Sequence, residues 1–190
     1  DILRALDAGA HGIVVPHVRS AEDVRGAVAL TRYPPAGRRS LALSTRAGQH
    51  GIRPVEEHLA AAGRDIVLIA QIEDADALDR LPEIVGAEGL AGVFIGPADL
   101  SASLGLAGRL DHPVVRDAVA RITTAVLQRR TLALCVLAGD EQEAANWVER
   151  GARLVFLNAP ALLAARLVAV SDALHTRHDQ GAAAWPTTTS

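Results

Sequence analysis

Two short stretches hold the residues best suited to chemistry. Leu68-Ile69-Ala70-Gln71-Ile72-Glu73 and Gly92-Val93-Phe94-Ile95-Gly96-Pro97-Ala98-Asp99 each run an apolar strand pattern straight into a carboxylate. Two carboxylates with no cysteine or histidine ligand beside them suit a hard divalent ion such as Mg or Mn, which keeps waters that a substrate can displace. An ion so held acts as a Lewis acid. A plainer reading also stands, because Glu73 and Asp99 precede helical or turn segments where carboxylates cap N-termini. Gln71 points the same way as Glu73 if the strand keeps its period of two, as a member of the site or as a structural hydrogen bond. In Gly96-Pro97-Ala98-Asp99, glycine and proline shape a turn whose Ala98 and Asp99 N–H groups could face an anionic group. The sequence has no lysine, so all 19 residues counted as Lys+Arg are arginines, and chemistry through a lysine imine is excluded.

Presenting both carboxylates together requires a common frame. Continuous apolar runs at residues 12–18, 66–72, 92–95, 132–137 and 154–157 are strand candidates, and residues 21–30, 75–84, 113–129 and 141–150 have helix-like patterns between them. Continuous apolar strands alternating with helices predict a parallel sheet built from βα units. Ala8-Gly9-Ala10-His11-Gly12, Glu88-Gly89-Leu90-Ala91-Gly92 and Arg150-Gly151-Ala152 supply glycines that end a helix and turn the chain into the next strand. Five strands do not by themselves separate an open doubly wound sheet from part of an eight-stranded barrel. No Gly-x-Gly-x-x-Gly follows a strand, and a phosphate-binding Gly-Lys turn cannot exist without lysine. The α/β reading is therefore a (β/α)8 barrel represented by about five of its eight units, with Glu73 and Asp99 on one rim.

Composition sets the remaining bounds. A length of 190 residues, 49% of them hydrophobic, is enough for one sizeable domain, and a formal net charge of -3 points to neither a nucleic-acid nor a membrane partner. No apolar run reaches the roughly 18 residues of a membrane span, and the first residues lack a signal-peptide layout, so the expected location is cytoplasmic. Cys135, the only cysteine, reads as a buried strand residue. The chain has no methionine and opens within a helical pattern, which reads as a fragment of a longer protein. Residues 1–174 are expected to form the domain and residues 175–190 a disordered tail, with a largely apolar helix near residues 161–174 as a subunit contact.

Several phrases in order then carry a resemblance: Val15-Pro16-His17-Val18 with Ala21-Glu22-Asp23-Val24, Thr31-Arg32-Tyr33-Pro34-Pro35-Ala36-Gly37-Arg38-Arg39-Ser40, Gln71-Ile72-Glu73, and Gly92-Val93-Phe94-Ile95-Gly96-Pro97-Ala98-Asp99-Leu100-Ser101. Over about residues 1–166 the chain resembles the HpcH/HpaI aldolase family. The resemblance implies a (β/α)8 barrel and a class II aldolase that cleaves 4-hydroxy-2-oxo acids to pyruvate and an aldehyde. It implies a divalent metal (Mg, Mn or Co) on Glu73 and Asp99, and Gln71 as the catalytic glutamine beside the metal's water. It further implies a substrate-binding turn at Gly96, Pro97, Ala98 and Asp99, whose Ala98 and Asp99 N–H groups bind the pyruvate carboxylate. Leu137 becomes a wall for the aldehyde portion, or ordinary core. A homo-oligomer, commonly a hexamer, is also implied. The family places a catalytic histidine and a substrate-binding arginine in units that would lie upstream of Asp1. His11, His17, His50 and His58 are expected to be structural or solvated, and Arg46 to approach the site or lie on the surface. Two alternatives remain: a CoA-ester lyase of the citrate-lyase-β or malyl-CoA-lyase type, and a non-catalytic barrel fragment that needs a partner.

Overall fold

The structure is a computed structural model that describes residues 1–181, with side chains through residue 175. The apolar runs become strands β1 (Gly12–Val15), β2 (Val67–Ile72), β3 (Gly92–Ile95), β4 (Ala133–Ala138) and β5 (Ala152–Leu157). All neighbours are parallel, and their order across the sheet is their order in the chain. An open doubly wound sheet reverses its order at a switch point, whereas a barrel adds each strand beside the last, so the order resolves the two architectures in favour of the barrel type. Register aligns Val15 with Ala70, Gln71 with Phe94, and Phe94 with Cys135. The C-terminal ends of β2 and β3 therefore emerge side by side, which brings Glu73 and Gly96 onto one rim.

α1 (Ile2–Asp7) precedes β1, and crossovers place α2 (Ala21–Thr31), α3 (Val55–Asp65), α4 (Leu81–Val85), α5 (Pro97–Ser103), α6 (Pro113–Leu127) and α7 (Glu141–Glu149) between the strands. Alternate strand residues Leu68, Ala70, Ile72, Val93, Ile95, Leu134 and Val136 pack with Val24, Leu81, Ile84, Ile122 and Val126 of the helices into one core. The opposite sheet face is also apolar, which explains why the sequence showed continuous runs. It is only partly buried: Ile69 and Cys135 are covered, Val67 and Leu137 are each 41% exposed, and Phe94 and Phe156 meet edge to face at 5.0 Å.

Local chemistry sets the element ends. The Ser20 hydroxyl accepts from the Asp23 N–H at 3.2 Å, and the Asp23 carboxylate accepts from the Arg19 N–H at 2.9 Å. That backbone hydrogen bond from Arg19 holds the Asp23 carboxyl below its ordinary range. The cap therefore persists above the usual carboxylate pKa and is lost only as pH falls through the lowered one. Residues 75–84, read as one helix, instead form a 3-10 turn at Ala75–Arg80 followed by α4. Pro82 has no N–H to give to a carbonyl one turn back, so an uninterrupted α-helix would lose a bond there. α8 (Ala159–Gly181) extends beyond the helix expected near residues 161–174 and into the segment expected as tail, and residues 182–190 lie outside the described residues. Among the described residues no helix is long and apolar enough to cross a membrane.

Leu134, fully buried on β4 between the sheet and its helices, tests this core. Leu134→Ala should destabilise the protein by roughly 2–5 kcal/mol in urea unfolding; a loss below about 1 kcal/mol would mean the helix layer is not packed as described.

Candidate active site

Glu73 leaves β2 one residue after its end and is only 3% exposed. An ionised carboxylate this buried needs donors on both oxygens. One oxygen accepts from the His17 backbone N–H at 2.9 Å, and the other accepts from the Gln71 side-chain amide. His17 presents that N–H by adopting a left-handed backbone, φ 55°, which is uncommon for a residue with a Cβ. The loop after β1 is tied to β2 a second time by Val18 N–H donating to the Gln71 carbonyl at 3.3 Å. The His17 ring reaches the acidic pair as well, with Nδ1 3.3 Å from Glu73 and 3.1 Å from Asp74, and Arg19 Nε lies 3.3 Å from Asp74.

Gly96 joins this cluster from β3. Its N–H donates to the Ile72 carbonyl at 3.0 Å, and a Cβ built on it would lie 2.9 Å from Gln71 Nε2, Glu73 Cβ and Glu73 Oε2. Only glycine lets β3 approach that closely, so Gly96 is a steric requirement of the Gln71–Glu73 pair. Pro97 then opens α5 with its fixed φ and no N–H to leave unpaired. The Ala98 and Asp99 N–H groups in that first turn have no acceptor among the described residues, and both residues are exposed. Buried Ser101 closes the turn: its hydroxyl donates to the Ala98 carbonyl at 2.6 Å and accepts from Gly108 N–H at 3.0 Å.

Glu73 and Asp99 thus stand on the same rim, following paired strands. One Glu73 oxygen accepts from the His17 N–H with the His17 ring Nδ1 3.3 Å away, the other accepts from Gln71 and retains a further lone pair, while the Asp99 carboxylate makes no hydrogen bond or ion pair among the described residues. No group of three or more His, Cys, Asp or Glu that could hold a metal occurs among the described residues. Two hard oxygen donors without a third protein ligand fit a Mg-like ion whose remaining positions take water and substrate. Leu137, exposed at the end of β4, and Pro97 line a cavity of about 890 Å³ that opens between α6 and α7 and is also bounded by Trp147, Arg116 and Arg150. Glu73, Gln71 and Asp99 lie outside that lining. The rim carboxylates and this cavity are therefore adjacent, joined at Pro97.

The remaining singled-out residues lie elsewhere. Cys135 is fully buried, and burial pushes its thiol up to about 11. His11, Arg46 and buried His58 border a second cavity at the N-terminal ends of β1 and β2, opposite the rim. Arg46 is therefore far from the mouth of the site. His17, expected to be structural or solvated, supplies the amide that holds Glu73. Its partner is 56 residues away, a pairing that spacing within one strand cannot reveal; the only local signal was Pro16 ending β1 immediately before it.

With this geometry established, comparison with known proteins is informative. A family model for HpcH/HpaI aldolase/citrate lyase matches residues 1–159. A 4-hydroxy-2-oxo-heptane-1,7-dioate aldolase from Shigella sonnei is 38% identical over 167 residues, 87% of this chain and 62% of the relative. This chain therefore spans somewhat less than two thirds of the length of that curated relative. Among solved structures, an HpcH/HpaI aldolase/citrate lyase family protein from Burkholderia cenocepacia superposes with a TM-score of 0.83 at 36% identity, covering 93% of this chain and 68% of that one. The citrate synthase SbnG superposes with a TM-score of 0.80 at 30% identity, covering 94% and 69% respectively.

Two outcomes follow from the packing of the site. Gly96→Ala should cost roughly 1–3 kcal/mol through overpacking, whereas Gly26→Ala in α2, where a Cβ meets nothing within 4 Å, should be neutral or stabilising by up to about 1 kcal/mol; equal effects in urea unfolding would contradict the close approach of β3. In folded protein at pH 8, Cys135 should resist iodoacetamide until denaturant is added, and rapid alkylation by mass spectrometry would contradict its burial.

Proposed function

This chain belongs to the HpcH/HpaI aldolase/citrate lyase family, and on that basis we propose that it carries the rim of a class II aldolase that cleaves 4-hydroxy-2-oxo acids to pyruvate and an aldehyde. The observation that carries this reading is Glu73, a buried carboxylate held open at a strand end by Gln71 and the His17 amide, beside the Gly96–Asp99 turn. Glu73 and Asp99 would hold a divalent cation, Mg, Mn or Co, which when bound supplies Lewis-acid stabilisation of charge growing on the 2-oxo oxygen.

The residues of the chain perform the positioning. Gln71 and the His17 N–H each fix one Glu73 oxygen, and the Gln71 side-chain carbonyl remains available to orient a water at the rim. The Ala98 and Asp99 N–H groups would receive the substrate carboxylate, which directs its C3–C4 bond along the rim toward Leu137. Leu137 and the adjoining cavity would take the aldehyde portion away from the charged end. In the cleavage the C4 hydroxyl loses its proton and becomes the aldehyde carbonyl. The C3–C4 bond breaks, its electron pair moves toward the 2-oxo oxygen, and C3 takes up a proton to give pyruvate. No oxidation change or nucleotide enters the balance.

The aldolase reading is favoured over a CoA-ester lyase by the 38% identity to a 4-hydroxy-2-oxo acid aldolase across 87% of the chain. A homo-oligomeric assembly belongs to the same proposal, supported by Leu163, Leu167, Val168 and Leu174 standing exposed along α8. The proposal also includes a cytoplasmic location, where charged 2-oxo acids are accessible to the enzyme without crossing a membrane.

The test is pyruvate release from 4-hydroxy-2-oxo-heptane-1,7-dioate, followed on this chain and on a form extended upstream. Turnover should require added Mn or Mg, vanish with EDTA, and fall by at least about a hundredfold in Glu73→Gln, the scale of losing one electrostatic catalytic group. Metal-independent turnover, or full activity in Glu73→Gln, would defeat the assignment.

A further inference from the structure

The geometry points to a second ligand site, a pocket for a small organic or inorganic oxyanion at the N-terminal ends of β1 and β2, opposite the candidate active rim. The cavity there measures about 300 Å³ and is lined by Arg39, Arg46, Arg53, His11 and His58 among others. That volume is at the lower end of small-molecule sites, roughly 300–1,000 Å³. From the phrase Arg32-Tyr33-Pro34-Pro35-Ala36-Gly37-Arg38-Arg39, which the aldolase rim does not use, Arg39 reaches the cavity wall. Arg39 is 3% exposed, lies over the Tyr33 ring at 4.7 Å and pairs through Nη2 with Asp7 at 3.0 Å. Tyr33 in turn meets buried His58 Nε2 at 2.8 Å.

The unmet hydrogen-bonding capacity of this wall identifies the ligand. Among the described residues, three buried side-chain nitrogens have no hydrogen-bond partner, Arg39 Nε, Arg53 Nε and His58 Nδ1, of which Arg53 Nε lies 3.5 Å from a Glu57 carboxylate oxygen. Both arginine atoms are donors. In the tautomer in which the Tyr33 hydroxyl donates to His58 Nε2, the His58 proton sits on Nδ1 and makes that atom a donor. Buried Arg39 Nε, joined by His58 Nδ1 in that tautomer, calls for a partner with acceptors, and leaving such groups unmet is costly. Charge agrees with this assignment. Against three lining arginines stands one lining carboxylate, Asp65, which is already bound by Arg64 at 2.7 and 3.0 Å. Asp7 offsets Arg39, and Glu57 lies 3.5 Å from Arg53, whereas Arg46, folded over Gly9 at the cavity edge, makes no ion pair among the described residues. A carboxylate or phosphate group satisfies both the buried donors and the excess cation.

Calorimetric titrations of the full chain with inorganic phosphate and, separately, succinate test the site, in EDTA so that metal-dependent binding at the rim is absent. Saturable one-site binding of either is expected, weakened at least tenfold in the Arg46→Gln/Arg53→Gln double variant, whose ligand-free melting curve should match that of the parent. Phosphate alone or succinate alone would each support the pocket and identify which oxyanion it prefers. Independently of any variant, saturating ligand should slow phenylglyoxal modification of Arg46, read by peptide mass spectrometry. Failure of both ligands to saturate, unchanged affinity in the double variant, or unprotected Arg46 would overturn the proposal.

Discussion

A carboxylate withdrawn from water must be repaid with hydrogen bonds at the moment of folding, and Glu73 imposes that demand on everything near it. The His17 backbone turns left-handed to bring an amide to it, Gln71 gives its side-chain amide, and residue 96 must be glycine for β3 to close on both. Three segments distant in sequence are thereby locked to one functional group. What they leave is a carboxylate with fixed direction and a remaining lone pair, a better ligand than a mobile surface acid because little ordering is left to do on binding.

The sheet supplies the other half of the arrangement. Because strands add in chain order and all run parallel, their C-terminal ends form one rim, and the turns after β2 and β3 become neighbours without further design. The helix layer is tightly packed and carries the stability, while the opposite face, with Val14, Val67, Leu137 and Leu154 partly open, is less committed. This division resembles the barrel logic in which one set of residues maintains the fold and the rim loops carry the chemistry. The opposite end of the same strands has its own polar cavity, so β1 and β2 connect two chemically distinct ends of the molecule.

Much of this was legible in the sequence where local rules dominate. β3 was found at its observed limits because glycine bounds both ends, and the start of α2 follows from the reciprocal Ser20 and Asp23 cap. Glu73, Asp99 and the Gly96–Pro97 turn stood out as candidates because each apolar strand pattern runs straight into a carboxylate. Less was visible where long-range contacts decide. α3 went unread despite Pro54 and the acidic Glu56 and Glu57 at its start, since its apolar face is narrow and its buried residues include His58. The break at Pro82 and the exposure of one sheet face depended on neighbours that no window of sequence contains. The His17 amide on Glu73 is of the same kind, a backbone interaction that leaves no mark on residue type.

The proposed function requires Glu73 and Asp99 to act as one ligand pair. Titrating Mn with the protein while following the EPR signal of the free ion tests it directly. The account predicts that the parent chain removes that signal with one-site stoichiometry and that Asp99→Asn, a change at an exposed residue, leaves it standing while the protein remains folded. Undiminished Mn binding in Asp99→Asn, or none in the parent, would contradict it.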